Sequence, residues 1–546
     1  MAEQQKKEIP QTLEEAKKMH KHLADYLKNN KSEYGIPEYY LKIERNMSDM
    51  EAPNLIYPVG GPLFIHIYKK PGEQTLYNVI EPHLDEKENE LYNNILANLI
   101  AIAVSHPVPN EVNQMAPVLE KLFDKLVKVG GGKASLLKKS MDSRISLTKS
   151  QYEKLKYFLI RDRVGYGKLE ALFKDPNLED IHCTGVGHLF TIHKVFGTVK
   201  ISIKFQDDLE LNKYMIEVSE RVERPVSDAH SIVDAMMPDG SRVNFIYGKD
   251  VSLEGSSFTI RKFSKVPVSI SQLIYWGTLS SEVAAYMWLC IENGINIFVC
   301  GETASGKTTT LNAVSAFIKP EDKVYTVENT PEVTLPHSTW QHLLTRESGK
   351  ETDVTMQDLL IASLRSRPNY IIVGEIRGQE GNIAFQAMQT GHPVMSTFHA
   401  GNVKTMIQRI NGEPINVPIT FIDNLNLALI QQAVARDGKM VRRVLSLTEI
   451  ERYYEPANKM VTREVFEWDA VNDEHQFKGM FNSYLLEKKI ATVLGYKNTR
   501  DIYKEMERRQ KILDKLVENE IFNYFEVWEV LKKFKMGGVS ALPFEI

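Results

Sequence analysis

Between residues 295 and 311 the chain reads INIFVCGETASGKTTTL, and its middle carries the spacing of a phosphate-binding loop. Gly301, Glu302, Thr303, Ala304, Ser305, Gly306, Lys307 and Thr308 fit G-x-x-x-x-G-K-[ST] at every fixed position, with Thr309 next in line. Phosphate chemistry supplies a reason for each fixed residue. Glycines let the backbone curl so that successive N–H groups point inward at phosphate oxygens. A helix beginning near Lys307 adds the positive end of its dipole. Lys307 brings a mobile ammonium to the β- and γ-phosphates, and the Thr308 hydroxyl is a ligand for Mg²⁺. A plain Gly-rich turn is the alternative. The pattern predicts a bound nucleoside triphosphate.

Further segments could act on those phosphates. VYTVENTPEV, residues 324–333, puts Glu328 and Glu332 just past a strand end, where one or both would position water or the magnesium shell. Solvated loop glutamates are the bland reading. YIIVGEIR, residues 370–377, is an apolar strand ending in Gly374-Glu375. In nucleotide hydrolases the strand beside the phosphate loop often delivers an acid to magnesium or to the attacking water. Gly-Glu stands here for the usual Asp-Glu, so Glu375 carries that role alone or shares it with Glu328. A carboxylate directly after a buried strand is costly without a partner, which favours function. TGHPVMSTFHAG, residues 390–401, holds His399, which could sense the γ-phosphate, and His392, which could be structural. Arg221, Arg224, Arg242 in PDGSRVNF and Arg261 in SFTIRKF are candidates for the cation that phosphoryl transfer gains from.

The elements that must position these groups follow from periodicity. Residues 12–29, 85–105, 111–129, 149–162 and 209–221 are predicted helices, and residues 55–81 look β-like. Gly130-Gly131-Gly132 predicts a flexible joint. From about 165 to 262, LFTIHKV, TVKISIKF, SRVNFIY and SSFTIRKF predict short strands of an α+β domain, and residues 264–268 a linker. From 268 to about 450, helices alternate with the buried strands INIFVC, KVYTVEN, NYIIVGEI and HPVMSTFH. That alternation predicts a parallel α/β sheet with the phosphate loop at a strand's carboxyl end. Leu513, Leu516, Val517, Ile521, Phe525, Val527, Trp528 and Leu531 predict a closing helical pair.

With 546 residues, several domains are expected. The division expected is a mainly helical, partner-docking region over 1–160, an α+β domain over 161–264, a nucleotide domain over 265–480 and a helical extension over 481–546. Charged residues at 25% and hydrophobic ones at 43% are those of a soluble globular chain, and a net charge of −4 gives no support to nucleic-acid binding. Cys183, Cys290 and Cys300 are too far apart for a zinc knuckle, and two of them, in apolar runs, read as small core residues. The polar start and an apolar stretch of only about ten residues near 95–104 predict a cytoplasmic protein without direct membrane insertion.

The motifs in this order resemble the secretion ATPases of type II and type IV systems. Residues 301–308 look like their Walker A loop, 325–333 like the acidic box, 371–377 like the atypical Walker B and 390–401 like the histidine box. Arg242 and Arg261 sit in stretches similar to the family's DGSRV and SFTIRK. The resemblance covers roughly 160–450. It implies a RecA-like ATPase domain, ATP and Mg²⁺ as cofactors, and a homohexameric ring with ATP between the domains. It also implies catalytic roles for Glu375, Glu328, Arg261, Arg242 and His399, and metal binding by Thr308 and Glu375. Within the family, TGHPVMSTFHAG followed by INVPITFIDNLN looks most like the archaellum motor ATPase. The missing tetracysteine element and Gly378-Gln379 lean the same way. That branch implies a polytopic membrane platform protein and an accessory cytosolic ATP-binding protein as partners, at the inner face of the cytoplasmic membrane. Pilus assembly, type II secretion and, remotely, a nucleic-acid translocase are the alternatives.

Overall fold

The computed structural model describes residues 10–104, 106–107, 114–130, 144–264, 266–346, 352–436 and 438–546. The joint expected at 130–132 and the linker at 264–268 lie partly outside these residues. The chain forms two compact units, Met1–Phe263 and Ser264–Ile546.

In the first unit the described residues build a ten-stranded sheet. Its order is Glu38–Tyr39, Asn54–Gly60, Leu63–Tyr68, Leu76–Ile80, Gly197–Phe205, Gly187–His193, Leu178–Cys183, Ser257–Arg261, Arg242–Ile246 and Ile232–Met236. The seam lies where Leu76–Ile80 pairs in parallel with Gly197–Phe205. Here the structure differs from the expected split near residue 160. Leu55, Tyr57, Ile65 and Tyr77 share one core with Leu178, Val199, Phe245 and Ile260. Tyr57 and Tyr77 each donate a 2.7 Å hydrogen bond to Asp175 Oδ2, and all three are buried. A buried carboxylate needs such donors, so Asp175 welds the first strands to the later ones. The first 80 residues are therefore part of one folded unit, not a separable module. Three helices, Glu86–Ala103, Met115–Leu126 and Lys149–Arg163, pack around Leu91, Ile95, Phe123 and Leu159 as a satellite core. Asp85–Glu88 and Thr148–Gln151 close the first and third of them with reciprocal capping boxes.

The second unit holds a nine-stranded sheet among the described residues. Its order is Trp340–Leu344, Val324–Glu328, Tyr370–Ile376, Val394–Phe398, Ile297–Gly301, Leu427–Arg436, Lys439–Tyr454, Lys459–Asp469 and Glu474–Phe477. Strands up to Leu427–Arg436 pair in parallel, and the rest continue as an antiparallel meander. The helices Ser281–Glu292 and Lys307–Ser315 cover one face. Glu380–Gln389 and Val403–Asn411 cover the other. Helices on both faces bury the parallel strands, which accounts for their unbroken apolar runs.

The expected C-terminal extension is not a separate body. Leu485, Ile512, Leu516, Tyr524 and Leu531 share a core with Val299, Leu311 and Val314. The buried Glu449 carboxylate fixes the start of this block, accepting hydrogen bonds from Tyr286 Oη (2.5 Å), Ser483 Oγ (2.5 Å) and the Tyr484 amide (2.9 Å). Cys183, Cys290 and Cys300 are free and buried, as expected of small core residues.

Candidate nucleotide site

The strand Ile297–Gly301 is buried throughout and ends at the predicted loop, and the helix Lys307–Ser315 starts immediately after it. Two backbone conformations shape the loop. Gly306, the residue before the helix, has φ +91°, and Ala304 has φ +60°. A Cβ on Gly301 would meet the Gln431 carbonyl at 2.2 Å and Ser305 Oγ at 2.5 Å. Only glycine fits there. Ser305 Oγ donates to the Glu302 carbonyl at 2.8 Å, and Lys307 Nζ folds back onto the same carbonyl at 3.0 Å. Burial pulls the Lys307 pKa down, while the Glu375 carboxylate is the largest influence in the opposite direction.

Glu375 lies near the end of the strand Tyr370–Ile376 and pairs with Arg377 Nη2 at 2.5 Å. This strand does not neighbour the phosphate-loop strand, as had been expected of the acid-bearing one; Val394–Phe398 lies between them. The Gly-Glu sequence has a steric cause. A Cβ on Gly374 would stand 3.0 Å from Glu328 Cγ, so the wall of one acidic strand presses on the other.

Glu328 sits differently from Glu375. It is 1% exposed, and its Oε1 accepts from the Glu332 amide (3.0 Å) and the Val333 amide (2.9 Å). Its Oε2 is 2.7 Å from His342 Nε2, and Trp340 stacks on the His342 ring. One oxygen of Glu328 is therefore used in folding the loop that carries Glu332. Asn312, from the phosphate-loop helix, grips the same loop, donating to the Glu332 carbonyl (2.7 Å) and accepting from the Thr334 amide (2.9 Å).

The histidine segment follows the strand that lies between the loop strand and the acidic ones. His399 follows the strand Val394–Phe398 and is half-buried, and its carbonyl accepts from Arg409. A Cβ on Gly401 would lie 3.5 Å from Glu302 Oε1, so the end of this segment reaches the phosphate loop. His392 is on the remote end of the strand, bonded to Thr390 Oγ1 at 3.1 Å.

Arg242 and Arg261 belong to the first unit, where they are directly opposed across two antiparallel strands. Arg261 Nε is 3.7 Å from Asp180. Arg221 instead donates to the Gly165 carbonyl.

Gln431 was missed by sequence reasoning. It is 1% exposed, on the strand beside the phosphate loop, paired with Gly301. Its Nε2 donates to the Ser305 carbonyl at 2.8 Å, and its Oε1 accepts from Thr310 Oγ1 at 2.7 Å. The amide therefore ties the loop to the helix it feeds. The signal was a polar pair, Gln431-Gln432, ending an apolar run, followed by the Asp437-Gly438 hairpin dipeptide.

The donor set fits a nucleotide polyphosphate: a left-handed Gly306 that turns the backbone inward, a lysine, and a helix start with hydroxyls at Thr308 and Thr309. A magnesium ion there would draw on Thr308, Glu375 and phosphate oxygens. Among the described residues no group of three His, Cys, Asp or Glu side chains could hold a metal by itself, and no helix is long and apolar enough to cross a membrane.

Residues 166–465 match the family described as type II/IV secretion system protein. The chain is 51% identical over 542 residues to the uncharacterised protein MJ0900 of Methanocaldococcus jannaschii, covering 98% of each. It is 26% identical over 257 residues to protein VirB11 of Agrobacterium fabrum, covering 42% of this chain and 74% of that one. Among solved structures, the ATPase DotB of Legionella pneumophila aligns over 68% of this chain and 90% of its own, at 18% identity and a TM-score of 0.38. The family match spans more than half of the sequence and contains the phosphate loop, both acidic strands and the histidine segment, and the chain belongs to the type II/IV secretion system protein family.

Proposed function

We propose that this protein is an ATP hydrolase that works as a homohexameric ring and converts hydrolysis into mechanical work on a membrane-embedded filament or secretion machine. The observation that carries the reading is the loop itself: only glycine fits at Gly301, Gly306 turns left-handed, and the helix opens on Lys307. Lys307 and the loop amides bind and orient the β- and γ-phosphates. Magnesium, held by Thr308 and the phosphates, supplies charge neutralisation when bound. Glu375 orients or deprotonates the attacking water, and Arg377 beside it keeps its carboxylate oriented. Glu328 shapes the loop around it. Arg242 and Arg261, opposed on neighbouring strands, supply the cation for the developing charge.

The finer reading is an archaellum motor, acting from the cytoplasm through a polytopic platform protein and alongside an accessory ATP-binding protein. The wording of residues 390–401 and 415–426 supports it. Pilus assembly or type II secretion is the second reading, favoured by the breadth of the family match. Purified protein should hydrolyse ATP and shift from monomer to hexamer on ATP addition, and Lys307→Ala should abolish both. Deleting the gene and scoring motility against piliation decides between the machines. Lost piliation with intact motility would overturn the archaellum reading.

A further inference from the structure

The hairpin beyond Gln431 brings one more cation to the loop. Gln431 pairs with Val444 and Ala433 with Arg442, so these four side chains share one face of the sheet. It is the face that packs on the phosphate-loop helix, since Leu427, Leu429 and Val444 share a core with Leu311 and Val314. Arg442 Cγ lies 3.8 Å from where a Cβ would stand on Gly306. Its stem is thus packed beside the residue that opens the helix.

The two neighbouring arginines differ in what holds them. Arg443 forms a fork with Asp473, at 2.7 and 2.8 Å, and donates to the carbonyls of Trp276 and Arg442. Among the described residues no carboxylate or carbonyl takes the Arg442 guanidinium. A guanidinium on a packed stem, beside an anion-binding loop and without an anion of its own, is suited to the ligand's charge.

Its position says which charge. Across the sheet, Glu375 ends the strand two places to one side of Ile297–Gly301, and Arg442 sits on the second strand to the other side. The loop lies between them. With the γ-phosphate facing Glu375, a nucleotide lying across the loop places its α-phosphate towards Arg442. We infer that Arg442 grips the α-phosphate side of bound nucleoside di- and triphosphates, setting affinity for ATP and ADP alike. The inference rests on the proposed roles of Lys307 and Glu375. It assigns Arg442 a part distinct from that of Arg242 and Arg261, which act on turnover.

The test is equilibrium binding of Mg-ATP and Mg-ADP to the full chain, with steady-state hydrolysis on the same samples. Arg442→Ala should weaken both nucleotides by a common factor of roughly 10–100, the worth of a charge-assisted hydrogen bond. The factor should reappear in KM, with kcat moving far less. Arg442→Gln keeps the stem on Gly306 and drops the charge, and should match the alanine variant; Arg442→Lys should recover part of the loss. Folded variants that bind both nucleotides as the parent does, that lose only ATP, or that lose kcat at saturation would each overturn the inference. A parent that binds neither nucleotide would instead strike the phosphate-loop reading itself.

Discussion

The two ends of the phosphate-loop helix handle charge in opposite ways. Beyond its C-terminal end, Glu292 is bonded to Arg509 and to Lys535, the latter at 2.5 Å. Arg509 also lies over the Trp288 ring, 4.6 Å from its centroid, and Trp288 stacks on Phe317 at 5.3 Å. Glu292 and Arg509 are each 8% exposed. At the N-terminal end, among the described residues, Lys307 bonds a carbonyl of its own loop, Glu375 pairs with an exposed arginine, and Arg442 is packed by its stem. Both ends are built on one helix and one core. The difference lies in whether each charge has its partner inside the fold. Closed pairs fix the C-terminal helices to the domain, and open ones leave interaction energy for a ligand.

That contrast makes the two ends separable by mutation. The largest effect should come from the first unit's arginines, to which the proposed function assigns the developing charge. Arg261→Ala should still bind ATP but hydrolyse it more slowly by on the order of 10³–10⁵. Full-rate hydrolysis by a dilute monomer carrying Arg242→Ala and Arg261→Ala would remove both arginines from the chemistry.

At the closed end, Arg509→Met should cost up to about 3–5 kcal/mol of stability, because Glu292 keeps only the less buried of its two cations, Lys535. Thermal unfolding checks this, and hydrolysis per folded molecule should be unchanged. Acid provides an independent reading. Burial pushes the Glu292 carboxyl up, but Arg509 and Lys535 outweigh it and hold it below its ordinary value of 4.5. A lowered carboxyl pKa stabilises the fold above the ordinary value, and that stabilisation is lost as pH falls through the folded one. Arg509→Met should therefore flatten the parent's loss of stability below about pH 4.5. An unaltered acid profile would separate Glu292 from the effect.

Gln431→Met sits between the two ends and should have the smallest effect. Its methionine fills the same space but leaves the Ser305 carbonyl and the Thr310 hydroxyl unpaired, a cost of about 1–3 kcal/mol. Because Ser305 belongs to the loop, KM for ATP should rise along with the loss of stability. A stability loss without any change in KM would make Gln431 a core residue only.

The open end was the more legible in sequence. Phosphate chemistry constrains residue types at fixed spacing, so Gly301, Gly306, Lys307 and Thr308 announce themselves within eight residues. Glu375 follows from an acid ending an apolar strand. What stayed hidden depends on contacts between distant segments. Tyr57 and Tyr77 meet Asp175 across about a hundred residues, and nothing local marks them as one sheet. The apolar spacing from Leu513 to Leu531 predicted a helical pair, found as Ile502–Glu518 and Tyr524–Gly537, but not that Leu516 and Leu531 finish the nucleotide domain's own core. The meander after residue 427 was passed over, and with it Gln431 and Arg442. The Asp437-Gly438 dipeptide between two β-rich runs was a usable hairpin signal, since Gly438 adopts φ +76°.

In the proposed function Lys307 holds the nucleotide while Glu375 acts on the water. The most direct test measures ATP affinity and steady-state hydrolysis together in Glu375→Gln. This variant should keep parental affinity and lose turnover, since the amide keeps the shape of the site and removes the base. Turnover comparable to the parent in Glu375→Gln would contradict it.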